Sequence, residues 1–324
     1  MYPADVRQDR PVEVFMAHMD VVFPDETELP LRVEGGRIYC PGVGDNTACL
    51  VCLLLAGKYI AGYVDSPRWR EIRGENAPGL LLVCNAGEEG LGNLKGVHKI
   101  CEDYGDRMER FCTFDSSLSS IVDRAVGSKR FRVRVRTRGG HSYNNFGNDN
   151  AIACLASLVG ELYGIRVPEG GKTTYNVGMI SGGTSVNTIA QEAEMLYEFR
   201  SDRRENLEYM ERQFMKVIDR GKSEGMDVSF EIIGVRPCEG PVDPKRKQAL
   251  SDWAHRVVEE MTGQAPKHCA GSTDCNIPLS LGIPSVCVGS FRGAGAHTRE
   301  EYVETDSLEE GYKVAFGMIF GSRD

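Results

Sequence analysis

No stretch of this 324-residue chain stays apolar long enough to read as a membrane-crossing helix, because Lys58 breaks the longest apolar run. The opening segment, Met1 to Arg10, is polar and lacks the apolar centre of a secretory leader, so a cytoplasmic location is expected. Positive charge is in deficit. The 38 Lys and Arg stand against 47 Asp and Glu, a net charge of −9, which argues against nucleic acid or an anionic membrane as the principal partner. Disulfide-framework spacing is missing as well: eleven cysteines are an odd number in a long chain, the pattern of reduced thiols. The one close pair, Cys49-Leu-Val-Cys52, lies inside the apolar stretch Ala48 to Ile60. No second pair answers it, so it reads as helix interior rather than as a zinc or redox motif. Repeats and low-complexity tracts are also absent.

What is present is alternation. The length exceeds the usual single-domain size, so two domains with separate cores are expected. Short apolar runs at Val12 to Ala17, Leu80 to Cys84, Arg110 to Phe114 and Ile283 to Val288 read as buried strands, with a helical pattern from Asn46 to Gly62 between the first two. That order predicts an α/β unit with a mostly parallel sheet covered by helices. The middle of the chain reads differently: strand Lys129 to Thr137, helix Asp149 to Tyr163, strands Thr173 to Ile180 and Ala190 to Arg200, helix Arg203 to Arg220, strand Met226 to Val235. This β-α-β-β-α-β order is the ferredoxin-like, split βαβ unit. The expected organisation is a discontinuous domain, residues 1–126 and 238–324, with an inserted α+β domain at 127–237. The alternating Arg130, Arg132, Arg134, Arg136 and Arg138 fit a strand with one solvated cationic face.

Glu88 and Glu89 carry the strongest chemical signal. They end the run Leu80-Leu-Leu-Val-Cys-Asn-Ala-Gly-Glu-Glu-Gly90, a poor way to finish a buried strand unless a cation compensates. Adjacent side chains there point in different directions, so one can bind a metal while the other handles a proton. Other candidate ligands fall just after strands: His18-Met-Asp20, Asp45 in Pro41-Gly-Val-Gly-Asp-Asn46, Asp115 after Phe114, and His297 in Gly293-Ala-Gly-Ala-His-Thr298. The carboxyl ends of parallel strands line one crevice, which brings residues remote in sequence together. Two imidazoles and three carboxylates would satisfy a pair of borderline metal ions with one carboxylate bridging them.

Through His18-Met-Asp20, Gly44-Asp45-Asn46, Gly87-Glu88-Glu89-Gly90, Phe114-Asp115, Gly139-Gly140-His141-Ser142, Gly271-Ser-Thr-Asp-Cys-Asn276 and Ala296-His297-Thr298, nearly the whole chain resembles the M20 dinuclear zinc peptidases and deacylases, in their peptidase-T-like branch. The resemblance implies that His18 and Asp115 hold one metal, Glu89 and His297 the other, and Asp45 bridges them. It implies zinc, with cobalt or manganese as substitutes. Glu88 would be the general base, and the Asp20 carboxylate would fix the His18 ring through its second nitrogen. It further implies a lid and dimerisation role for the inserted domain in a homodimer, with His141 stabilising an oxyanion and Asn187 and Arg200 touching substrate; surface pairing is the equal alternative for Arg200. Asp at position 115 goes, in that family, with aminopeptidases, dipeptidases and some acylases, whereas Glu goes with carboxypeptidases and desuccinylases. The expected activity is therefore hydrolysis of short peptides by a tripeptidase-like aminopeptidase. N-acyl-amino-acid deacylation or carboxypeptidase action stands as the alternative, and a non-catalytic zinc- or peptide-binding scaffold as the reading from another class. Family members usually carry several helices and a strand ahead of the first motif, so the expectation is either a truncated chain or a sheet without an edge segment that normally supports the site, with a strand missing beside the first ligand. His98, His255 and His268 read as solvated or capping groups, and Asp274 as a loop-shaping residue near the site.

Overall fold

The alternating contacts of one seven-residue strand set the architecture of the first unit. In this computed structural model, which describes residues 10–23, 27–63, 66, 67, 69, 71 and 77–321, the polar opening residues 1–9 lie outside the described part. The elements run β1 (Val12–His18), β2 (Arg32–Glu34), β3 (Arg37–Tyr39), α1 (Cys49–Tyr63), β4 (Gly79–Asn85), α2 (Lys95–Tyr104), β5 (Met108–Phe114) and β6 (Ser120–Ala125). There follow β7 (Gly127–Arg136), β8 (Gly140–His141), α3 (Ala151–Tyr163), β9 (Thr173–Gly182), β10 (Thr188–Ile189), β11 (Glu192–Ser201), α4 (Arg204–Ser223) and β12 (Asp227–Arg236). The last are α5 (Pro244–Thr262), β13 (Lys267–Gly271), α6 (Asn276–Ser280), β14 (Ser285–Val288), β15 (Gly293–Ala294), β16 (Tyr302–Glu304) and α7 (Ser307–Phe320). The chain divides into two units, Met1–Ala125 with Glu239–Asp324, and Val126–Cys238.

All seven residues of β1 are buried. Phe15 and Ala17 enter one core with Leu53 of α1, Trp253 of α5 and Val314 of α7, while Val14 and Met16 enter another with Leu94, Val97 and Cys101. A strand covered on both faces is what a parallel sheet between helices requires. The sheet order is β13-β6-β14-β5-β1-β4. Strands β4, β1, β5 and β14 run parallel, β6 is antiparallel to β14, and β13 is parallel to β6. The strand carrying His18 is thus paired on both sides, by β4 and β5, so no strand is missing directly beside this ligand. Lys58 does not interrupt α1, and Val43–Tyr63 is by length and composition long and apolar enough to cross a membrane. Yet Cys49, Cys52, Leu53, Ala56 and Ile60 on it are buried in the core, as on the central helix of a packed α/β unit. The Cys49 thiol is pushed up by this burial, consistent with an inert core cysteine. A small antiparallel sheet, β15-β16-β3-β2, had no counterpart in the sequence patterns; its strands are two or three residues long.

In the second unit the sheet β12-β7-β11-β9 is antiparallel throughout. Phe131, Val133 and Val135 of β7 pack on Leu155 and Leu158 of α3 and on Phe214 and Val217 of α4. Asn150 starts α3 by accepting the main-chain N–H of Ile152 at 2.9 Å. The alternating arginines of β7 face the other way, but they are not simply solvated. Arg130 reaches Glu198 at 3.3 Å, Arg134 reaches Glu194 at 2.6 Å and Arg132 reaches Glu231 at 3.1 Å, so the sheet surface is a ladder of cross-strand ion pairs.

Candidate metal centre

Four parallel strands end at one place, and the loops they feed carry the candidate ligands. His18 is the last residue of β1 and is buried. Asp115 follows β5, Glu88 and Glu89 follow β4, and His297 lies in the segment after β14. Asp45 sits in the wide helical turn Val43–Ala48 ahead of α1. The next residue, Asn46, donates from Nδ2 to the Phe114 carbonyl at 2.8 Å, which ties the Asp45 loop to the strand end that presents Asp115.

The geometry centres on Asp45. Its Oδ1 lies 3.0 Å from His18 Nε2 and its Oδ2 lies 3.0 Å from His297 Nε2, so one carboxylate shows one oxygen to each imidazole. Asp115 Oδ1 approaches His18 Nε2 at 3.4 Å, and Glu89 Oε1 approaches His297 Nε2 at 3.4 Å. His297 holds this place in a left-handed conformation, φ 65°, within the turn closed by Thr298 N–H to the Gly295 carbonyl. The ligand atoms of His18, Asp45 and Glu89 all lie within 4.8 Å of one another.

The residues fit a divalent pair. His18 Nε2, Asp45 Oδ1 and Glu89 Oε1 are buried and form no aligned hydrogen bond, a costly state for polar atoms. Their spacing resolves it: two donors on one zinc, each about 2.0–2.2 Å from it, stand about 3.0–3.5 Å apart. The mixed imidazole and carboxylate set suits zinc and its borderline neighbours. Electrostatics agree. Burial opposes charge on His18, but the facing carboxylates of Asp115 and Asp45, together with Glu88, outweigh it and push the imidazole up to about 12. Burial and the charge of Asp45 push Glu89 up to about 7. Burial also works against ionised Asp45, yet His18 and His297 outweigh it and hold that carboxyl below its ordinary value. Without a metal the site gathers protons in place of cations.

Asp20 acts otherwise than the sequence implied. Its carboxylate stands 3.7 Å from His18 Nδ1, and the hydrogen-bond partner of that nitrogen is the Asp20 main-chain oxygen at 3.0 Å. The carboxylate instead accepts the main-chain N–H groups of Gly87, Glu88 and Glu89 at 2.9, 3.3 and 2.9 Å. The turn after β4 leaves these three amides without ladder partners, and an anion satisfies all of them. Asp20 therefore aims the Glu88-Glu89 pair. Glu88 is buried, with its main chain held by this contact, and its charge bears on His18.

His141, Asn187 and Arg200 lie in the second unit. His141 is exposed on β8, with its Nδ1 accepting from the Tyr143 N–H at 3.2 Å, so a neutral ring carries its hydrogen on Nε2 as an outward donor. Asn187 is joined to the same ribbon, its carbonyl accepting from Ser142 N–H at 3.0 Å. Arg200 has its planar fork on Glu198, with bonds of 2.9 and 3.1 Å, the pairing arrangement that the sequence left open. Burial would raise Glu198, but Arg200 and Arg130 hold its carboxyl below the usual range. His268 and His255 are not separately solvated: His268 Nδ1 meets Asp123 at 2.6 Å and its Nε2 lies 2.9 Å from His255 Nδ1. Asp274, fully buried, accepts from Asn85 Nδ2 at 2.8 Å at the end of β4, consistent with a loop-shaping residue.

The chain is similar to known proteins along most of its length. The model of Peptidase family M20/M25/M40 matches residues 14–320. A succinyl-diaminopimelate desuccinylase of Nitrosomonas eutropha is 25% identical, the match covering 93% of this chain and 80% of that protein. One of Bordetella parapertussis is 23% identical over 92% of this chain and 79% of its own length. Among solved structures, aminopeptidase PepT from Bacillus cereus superposes with a TM-score of 0.70 at 20% identity, covering 98% of this chain and 82% of that one. The M20 family metallo-carboxypeptidase Sso-CP2 from Sulfolobus solfataricus gives 0.71 at 15% identity, covering 97% and 86%. At such identities the structural likenesses establish the fold.

Proposed function

Because the chain belongs to peptidase family M20/M25/M40 and is a hydrolase of that metal-dependent group, we propose that it cleaves amide bonds in short peptides as a tripeptidase-like aminopeptidase. The observation that carries the hydrolytic reading is the placement of Asp45 between His18 and His297, one oxygen to each ring. His18 and Asp115 would hold one ion, Glu89 and His297 the second, with Asp45 shared. When bound, such a pair polarises the scissile carbonyl and lowers the pKa of water toward about 7. Glu88 takes the proton of the attacking water and returns it to the leaving nitrogen. Asp20 keeps Glu88 and Glu89 at their separate tasks by gripping the amides of both. The family resemblance would give His141 the role of an oxyanion donor through its Nε2 hydrogen. A homodimer through the unit Val126–Cys238 and a cytoplasmic location belong to the same reading.

Asp115 in place of Glu supports the aminopeptidase over a carboxypeptidase or desuccinylase. The desuccinylase relatives favour the second reading, an N-acyl-amino-acid deacylase. A hydrolysis panel of tripeptides, dipeptides, N-blocked peptides and N-acyl amino acids with added zinc, cobalt or manganese separates them. Release of free N-terminal residues from tripeptides is expected. Turnover confined to N-blocked substrates would select the deacylase, and no turnover with any metal would favour a binding protein.

The protons held by the site give a second test. With His18 raised to about 12 and Glu89 to about 7, the metal-free site at pH 7 carries one proton on His18 and part of one on Glu89. Loading must expel them, so zinc binding at pH 7 should release between about one and two protons, and affinity should fall with falling pH, more steeply below about 7. Calorimetry in buffers of different ionisation enthalpy reads the number; proton uptake or none would contradict this ligand set.

A further inference from the structure

We propose that Glu301 is a positioning residue for the metal centre, an inference that rests on the metal reading above. Three main-chain amides converge on its carboxylate: Gly42 N–H reaches Oε2 at 2.6 Å, and Gly44 and Asp45 N–H reach Oε1 at 2.9 and 2.7 Å. The side chain is buried, 2% exposed. Neighbouring amides curled around an anion, here those of Gly42, Gly44 and Asp45, form a concavity of the kind that binds phosphate or carboxylate ligands. The chain fills this concavity with its own carboxylate.

Its position gives that contact a function. Glu301 stands four residues after His297, and its main-chain oxygen also accepts from Cys40 N–H at 3.1 Å. Four hydrogen bonds therefore join the segment that carries Asp45 to the segment that carries His297. One of them falls on the amide of Asp45 itself, the residue whose two oxygens face the two imidazoles. Gly44 makes the approach feasible, since a Cβ there would meet the Phe291 ring at 2.6 Å and Glu301 Oε1 at 3.0 Å. Charge-assisted hydrogen bonds are stronger than neutral ones, and outer partners of metal ligands typically change affinity by 10- to 100-fold when removed. Glu301 grips Asp45 through the backbone and reaches no ligand side chain in doing so.

The test is zinc affinity by competition with a chelating dye, using the full chain. Glu301→Gln keeps one carbonyl oxygen for Gly44 and Asp45 but turns a donor toward Gly42, and about tenfold weaker binding is expected; Glu301→Ala, which abandons all three amides, should weaken it about 100-fold. At saturating zinc the Gln variant should recover kcat to within a few-fold of wild type, because Glu301 touches neither substrate nor reacting atoms. A merely structural role would lower the melting temperature of both variants without moving the zinc Kd, and that result would overturn the inference while leaving the metal reading intact. Absence of zinc binding by the wild-type chain would overturn both.

Discussion

Glu88→Gln should fold, load metal and lose about 10²–10⁴-fold in turnover, the contribution typical of a positioned general acid–base. The substitution is close to isosteric at a buried site, and the main-chain bond from Glu88 to Asp20 survives because it uses the amide, not the side chain. What the variant loses is the capacity to accept a proton. Glu89 cannot substitute, because its carboxylate is turned to His297, 3.4 Å away, and is gripped from behind through its own N–H. The measurement is kcat at saturating zinc together with metal content and the melting temperature. Near-normal turnover would remove Glu88 as the base; full loss of metal would move it into the ligand set and undo the division of labour between the two glutamates.

The Glu88-Glu89 pair stood out in the sequence because two carboxylates at a buried strand end are costly unless a cation compensates, and the structure turns Glu89 toward His297. The parallel strands β1, β4, β5 and β14 were legible because strands covered by helices are largely apolar runs. The β-α-β-β-α-β order of the second unit followed from a change of period, two along β7 and 3.6 along α4. The small sheet β15-β16-β3-β2 left no such trace, since strands of two or three residues are too short to show a period. Nor did the supports of the site. The resemblance implied an imidazole as the partner of the Asp20 carboxylate, whereas three main-chain amides of a remote turn take it. Asn46 sits beside a motif residue, yet its bond to the Phe114 carbonyl spans 68 positions. Glu301 stands in Arg299-Glu-Glu-Tyr302, which looks like an ordinary charged surface run. Ligand types and strand ends are local facts, whereas hydrogen bonds between loops are set by how the strands are ordered in the sheet.

Asp45→Asn should abolish the dependence of stability on zinc and cut hydrolysis by more than about 10³-fold. A ligand that binds only the native state stabilises it by about 2.7 kcal/mol at a hundredfold excess over Kd, which in a unit of about 200 residues raises the melting temperature by roughly 5–10 °C. Wild-type protein should show that rise on adding zinc. The amide keeps one oxygen for one imidazole and turns a donor toward the other, so no rotamer of the substituted side chain offers both sites an anionic ligand. The metal-free variant should also melt a little lower than metal-free wild type at pH 7. Asp45 has its carboxyl held below the ordinary value by His18 and His297, so its contribution is present above about pH 4 and disappears only as the pH falls through the depressed value. The two effects have separate signatures: the small loss is seen without zinc and vanishes in acid, whereas the large one is the missing zinc-dependent rise. A rise in Asp45→Asn equal to that of wild type would mean that the carboxylate between the two rings is a hydrogen-bond partner of the imidazoles and not a bridge.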